Sequence, residues 1–235
     1  MLLSVLEGGM PSFPELLLIL FTYAVLIFVT MPVHELAHAF VADRLGDKTA
    51  RWNGRLTFNP LRHLDPIGTA MLVLVGFGYA KAVPVNPRNF KNPRSGMALT
   101  ALAGPLSNVL MAFVAVGIFR VLTLFGGGVA VAGGYIHFGS SWLLYAYIGL
   151  IQVFASVNLV LAVFNLLPIP PLDGSRILGL VLPDRWLYLF EKYYQIIMLA
   201  LFVVLFLGWL DVPLSYLRHW LGFLICTPFG LPNLF

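Results

Sequence analysis

The chain is short of charge. Asp, Glu, Lys and Arg make up 10% of its 235 residues, while 60% are apolar. Soluble domains run at about a quarter charged and half apolar. The excess apolar surface must face lipid, which excludes a soluble protein with a large core. Cysteine is nearly absent. The single Cys226 rules out an intramolecular disulfide and a cysteine-based zinc site, and reads as a small buried apolar residue. No basic stretch precedes the first apolar run and no small-residue cleavage site follows it closely. That run is therefore expected to be a retained span, not a signal peptide. The Gly-rich "GGGVAVAGG" (126–134) has no phosphate-loop lysine and reads as a connector without a ligand.

Long apolar runs are plentiful. A first span is expected over about Leu16–Ala42, a second over Met97–Leu124, a third over Trp142–Leu167 and a fourth over Trp186–Leu210. The apolar piece at 67–80 is short and Gly-broken, and reads as re-entrant or interfacial. A last piece, Leu214–Cys226, is interrupted by Arg218 and His219 and either lies on the membrane or crosses it obliquely. The expected fold is an all-α polytopic membrane protein of about 4–6 membrane segments, with a re-entrant segment and a small interfacial β element. The β element is expected at "RWNGRLTF" (51–58), where Trp52, Leu56 and Phe58 alternate with Arg51, Arg55 and Thr57. A strand edge there would pair with an unwound substrate. One membrane domain is expected over 1–235, with its core at about 14–182 and extra membrane segments at about 186–228.

Nine of the fourteen Lys and Arg residues fall in 43–96. Positive loops stay inside, so this loop is expected in the cytoplasm, with the N-terminus and the 125–140 loop outside. The net charge of +4 follows from this topology, and no nucleic-acid partner is expected. Span one and span three then run the same way, which brings His34, His38 and Asp173 to the same cytoplasmic depth.

Ionisable groups inside a bilayer are costly and usually functional. "HELAH" (34–38) is H-E-x-x-H, and positions i and i+4 of a helix share a face, so both imidazoles can reach one zinc ion. Glu35 stands where a general base for a metal-activated water belongs. Zinc enzymes commonly use three protein ligands. His137 is expected outside and His219 lies in the last apolar piece, while His63, in the cytoplasmic loop, stays open. Asp173, in "NLLPIPPLDGSR" (165–176), is the better third candidate. The prolines at 168, 170 and 171 forbid a regular helix there, and irregular backbone at membrane depth must be buried in protein or line a wet cavity. Its bland reading is an Asp-Gly turn capping the next helix.

"HELAHAF", "AGPLSN" (103–108), "NLLPIPPLDGSRIL", "GRLTFNPLRHLDPIGT" (54–69) and "YAKAVPVNPRNFKNPR" (79–94) together resemble the site-2 protease family of intramembrane zinc metalloproteases, peptidase family M50. The likeness runs from about Pro32 to Leu178. With no PDZ-like insert, CBS pair or large soluble domain, the chain is similar to the minimal bacterial and archaeal members. The resemblance implies one catalytic zinc held by His34, His38 and Asp173, with Glu35 as base. It also implies roles for Asn59 and Asn165 in positioning substrate or stabilising the oxyanion. Against these stand an Asn-Pro turn for Asn59 and a helix cap for Asn165, while Asn108 is read as a packing residue. The expected substrate is a transmembrane protein or peptide, and the expected location a cell membrane with the active site toward the cytoplasm. Oligomeric state leaves no mark in the sequence. Two other readings stand beside this one: a divalent-metal transporter, which would need ligands along a path and often paired repeats, and a catalytically inactive relative, against which Glu35 argues.

Overall fold

The computed structural model describes residues 13–75, 78–125, 129–132, 135–138 and 142–235. The expected N-terminal outside segment and much of the Gly-rich 126–134 stretch lie outside them. The chain divides into two compact units at Ser107–Asn108.

The first unit opens with helix α1 (Phe13–Val25), a π-helical turn (Leu26–Thr30) and helix α2 (Met31–Arg44). The π turn has a local cause. Pro32 has no N–H to give to the preceding turn, and its ring crowds the carbonyl four residues back. A wider turn just before it relieves both problems. Helix α1 exposes large apolar side chains, including Leu16, Leu17, Leu18 and Leu20, as expected of a helix in lipid. Helix α2 instead buries His34, Glu35, His38 and Asp43.

A charged loop follows. Asp43 takes two hydrogen bonds from the Arg51 guanidinium, at 2.9 and 2.6 Å. Asp47 is fully buried and accepts from the Thr49 and Asn86 backbone N–H groups and the Asn89 amide. Through Asp47, the short helix α3 (Thr49–Trp52) is tied to a segment 39 residues away. The expected strand at 51–58 is not formed. Residues 51–52 end α3, Gly54 turns the chain at φ +64°, and 55–58 are irregular. Alternation over so few residues is satisfied equally by a helical turn followed by a bend. Helix α4 (Pro66–Val75) then leads out, and the chain doubles back so that Leu64 bridges Ala80. A Cβ at Gly68 would stand 2.1 Å from the Tyr79 carbonyl oxygen, so the return strand can approach α4 this closely only over glycine.

Helix α5 (Pro93–Phe125) runs through the division between the units. In the second unit a two-stranded antiparallel ladder, β1 (Val129–Ala132) with β2 (Tyr135–Phe138), precedes helix α6 (Trp142–Asn165). Then come α7 (Asp173–Leu178), α8 (Asp184–Lys192), α9 (Tyr194–Phe206) and α10 (Asp211–Cys226). Its core packs Ala112, Ala115 and Phe119 against Leu159, Ile225 and Cys226. Small residues let the helices approach closely, and Cys226 is buried as expected. The expected fourth span is not one straight helix, because α8 and α9 meet at a 72° bend. Asp184, Arg185, Glu191 and Lys192 give α8 a polar face that cannot follow α9 into hydrocarbon.

By length and composition, two helices among the described residues can cross a membrane: Leu16–Arg44 with 29 residues and Pro93–Leu124 with 32. The α8–α9 pair makes a third if taken as one broken span. The chain is a mostly helical membrane protein.

Candidate metal centre

His34 and His38 lie one turn apart on the buried face of α2. Their rings stand edge to face, with centroids 4.6 Å apart and planes at 86°. The two Nε2 atoms are 3.0 Å apart. The other ring nitrogen of His38, Nδ1, is 2.7 Å from the Thr100 carbonyl on α5. A carbonyl only accepts, so Nδ1 carries the proton and Nε2 presents its lone pair. Such a second contact is what fixes the tautomer of a metal-binding histidine.

The pair fits a zinc ion. Nitrogens each ~2.0–2.1 Å from one zinc stand ~3.3–3.4 Å apart in tetrahedral geometry, a few tenths of an ångström beyond the observed spacing. Gly104 completes the cradle. A Cβ there would lie 2.5 Å from the Cε1 and Nε2 of His34 and the Cε1 of His38, so only glycine leaves both rings their place.

Glu35 follows His34 on the helix and is also buried, at 9% exposed. Its Oε2 accepts a 3.1 Å hydrogen bond from the backbone N–H of Val83. Val83 belongs to the extended return segment after α4, and its side chain packs with Ala39 and Ala50. The same segment is held at Lys81, whose N–H donates to the His63 carbonyl at 2.8 Å. The Lys81 carbonyl in turn accepts from Nη2 of Arg55. Burial pushes the Arg55 guanidinium below its ordinary range, and the negative charge of Glu35 offsets only part of this.

The remaining candidates occupy defined places. His63 is fully buried and spends Nε2 on the Thr57 carbonyl at 2.8 Å, so its ring braces the loop before α4. Asn59 is exposed, and its Oδ1 accepts from Leu61 N–H at 3.0 Å, capping a 3₁₀ turn as the Asn-Pro reading expected. Asn165 ends α6 and gives its amide to the Leu161 carbonyl at 3.0 Å. In the second unit Asp173 is the first residue of α7. It is set against the end of α6, because a Cβ on the next residue, Gly174, would come within 2.2 Å of the Leu166 carbonyl oxygen. Val83, Thr100 and Arg55 were not expected at the site. No local pattern marks them, since each acts across 26 to 62 residues of sequence.

Two facing imidazoles, a neighbouring buried carboxylate and a long apolar helix define a zinc-dependent hydrolase carried in a membrane protein. The comparisons with known proteins give its family. The model of peptidase family M50 matches residues 22–208, and the chain belongs to that family. It is 42% identical over 184 residues to "Putative zinc metalloprotease YwhC" of Bacillus subtilis, covering 75% of this chain and 78% of that protein. It is 31% identical over 156 residues to "Putative zinc metalloprotease Rip2" of Mycolicibacterium smegmatis, of whose length the match spans 51%. No solved structure matches. The protein is a zinc metalloprotease, and zinc is its metal.

Proposed function

We propose that this metalloprotease hydrolyses peptide bonds in or beside the transmembrane segments of membrane-protein substrates, at a site near the cytoplasmic face. The observation that carries the reading is the facing His34 and His38 Nε2 atoms, 3.0 Å apart, in a helix whose 29 residues are apolar enough to span a bilayer. A protease that serves soluble substrates has no reason to bury its ligands in such a helix.

Asp173 is the third ligand in this reading. Two imidazoles and a carboxylate are a donor set that zinc accepts, with a fourth position left to water. When bound, zinc lowers the pKa of water and polarises a carbonyl. Glu35 takes the proton of the attacking water and returns it to the leaving amine. Asn165 keeps a second amide N–H for the developing oxyanion, and Asn59 orders the loop that approaches the substrate.

The substrate helix must unwind before it is cut, and freed peptide groups need partners. The segment beside Glu35 offers an edge. Lys81 and Val83 spend their backbone groups on the protein, so in an extended chain the N–H and carbonyl of Ala82 between them face the opposite way. An extended peptide pairing at Ala82 would lie along the base. Helix α4, at 10 residues, is too short to cross a core of ~30 Å, and its doubled-back course suits a re-entrant segment. The spans make a multi-pass domain whose basic 43–96 loop is cytoplasmic.

Proteoliposomes carrying the protein and a model transmembrane substrate test this. The wild type is expected to cleave within or next to the apolar segment, and Glu35→Gln to leave the substrate intact. Cleavage confined to water-exposed loops, or equal cleavage by Glu35→Gln, overturns the reading.

A further inference from the structure

Arg55 is 5% exposed, which is unusual for a cation that makes no ion pair among the described residues. Burying a charge costs several kcal/mol unless it is compensated. Arg51, four residues earlier, shows the ordinary solution: it lies at the surface with Nε and Nη2 both donating to the Asp43 carboxylate. Arg55 instead sends Nη2 to the carbonyl of Lys81, and its Nε is buried with no hydrogen-bond partner among the described residues.

The position of that carbonyl supplies a reason. In an extended chain residues i and i+2 point their backbone groups to the same side. The Lys81 N–H, the Lys81 carbonyl and the Val83 N–H therefore lie along one edge. Their partners are, in order, the His63 carbonyl, the Arg55 guanidinium and the Glu35 carboxylate. The grip of Arg55 is thus one peptide unit removed from the N–H that fixes Glu35. A neutral donor could hold the carbonyl as well. A cation there also feels the negative charge of Glu35.

We propose that Arg55 is a positioning residue of the protease: by holding the Lys81 carbonyl it fixes the Val83 N–H, and through it the place of Glu35 beside the histidine pair. The inference rests on the reading of Glu35 as the base. It assigns Arg55 no contact with substrate or metal. Its removal therefore lowers turnover without releasing zinc or weakening substrate binding.

The test uses the full chain in proteoliposomes with the model transmembrane substrate. Arg55→Gln, Arg55→Lys, Val83→Pro and the double variant Arg55→Gln/Val83→Pro are compared for kcat, KM, bound zinc and melting temperature. Val83→Pro removes the N–H that Glu35 uses. Arg55→Gln is expected to lower kcat by ~10–100-fold, the range for loss of an outer-shell partner, with KM within a factor of about two and zinc unchanged. Arg55→Lys is expected to recover most of the loss. The double variant is expected to be no slower than the slower single, because both changes break one chain of contacts. Loss of zinc in Arg55→Gln, a rise in KM at unchanged kcat, or losses that multiply in the double variant overturn the proposal. Where Arg55→Gln fails to fold, a wild-type kcat in Val83→Pro overturns it alone. Glu35→Gln is run in parallel, and wild-type activity there defeats the reading of Glu35 itself, whatever the Arg55 variants do.

Discussion

Gly104 and His34 meet so closely that a methyl group on the glycine would stand 2.5 Å from the imidazole Nε2. The helix backbone of α5 is thus the floor under the histidine pair. Gly104→Ala pushes both rings off their shared focus. Zinc affinity is expected to fall by ~10–100-fold, comparable to the loss of an outer-shell partner. Titration against a chelator of known affinity measures it, and unchanged affinity refutes the close packing described.

Glu35 and His38 separate two functions. Glu35→Gln keeps the side-chain shape and lies outside the ligand set, so zinc content is expected to stay at the wild-type level while cleavage falls by ~10²–10⁴, the range for general acid–base catalysis. His38→Ala is expected to lose zinc and activity together. Metal analysis of the purified variants, beside a cleavage assay, distinguishes the two patterns.

Asp173 is examined through its neighbour. Gly174→Ala leaves the carboxylate in the sequence but forces a Cβ toward the Leu166 and Leu167 carbonyl oxygens, at 2.2 and 2.3 Å, and the start of α7 must move. With Asp173 as a ligand, Gly174→Ala and Asp173→Asn both lower zinc affinity. Wild-type affinity in Asp173→Asn would remove that residue from the ligand set.

Asp47 sets an acid limit on the basic loop. Burial pushes its carboxyl up, but hydrogen bonds from the Thr49 hydroxyl, the Asn89 amide and the Asn86 and Thr49 backbone N–H groups outweigh this and hold it below its ordinary value. A group depressed in the folded state stabilises above its unfolded pKa, ~3.9. That stabilisation is lost as pH falls through the folded value. Asp47→Asn is expected to cost about 1–3 kcal/mol at neutral pH, and its melting temperature should approach that of the wild type in acid. Parallel melting curves that stay equally separated from pH 7 to 3 contradict this.

The facing histidine pair was legible because it needs only local information. A four-residue spacing on a helix puts His34 and His38 on one face whatever surrounds them, and an uninterrupted apolar run made the helix certain. Helices α5 and α6 were legible for the same reason. The segment at 51–58 was misread because its fate is decided elsewhere: Arg55 is drawn to a carbonyl 26 residues away, and Gly54 turns the chain before a strand can start. The break between α8 and α9 was invisible to hydropathy, which averages over a charged face that a bend can keep in water. The contacts that set the tautomer of His38 and the place of Glu35 come from backbone atoms, which every residue type supplies alike.

The π turn at Leu26–Thr30 has a bearing on how the membrane-crossing helix is read. Such a turn holds one residue more than an α turn, and each residue rotates a helix by ~100°. The lipid-facing half and the ligand-bearing half of this rod are therefore out of phase. Evolution can redecorate the first half without turning the imidazoles, but deleting a single residue from that turn would swing the face that bears His34 and His38 round relative to it.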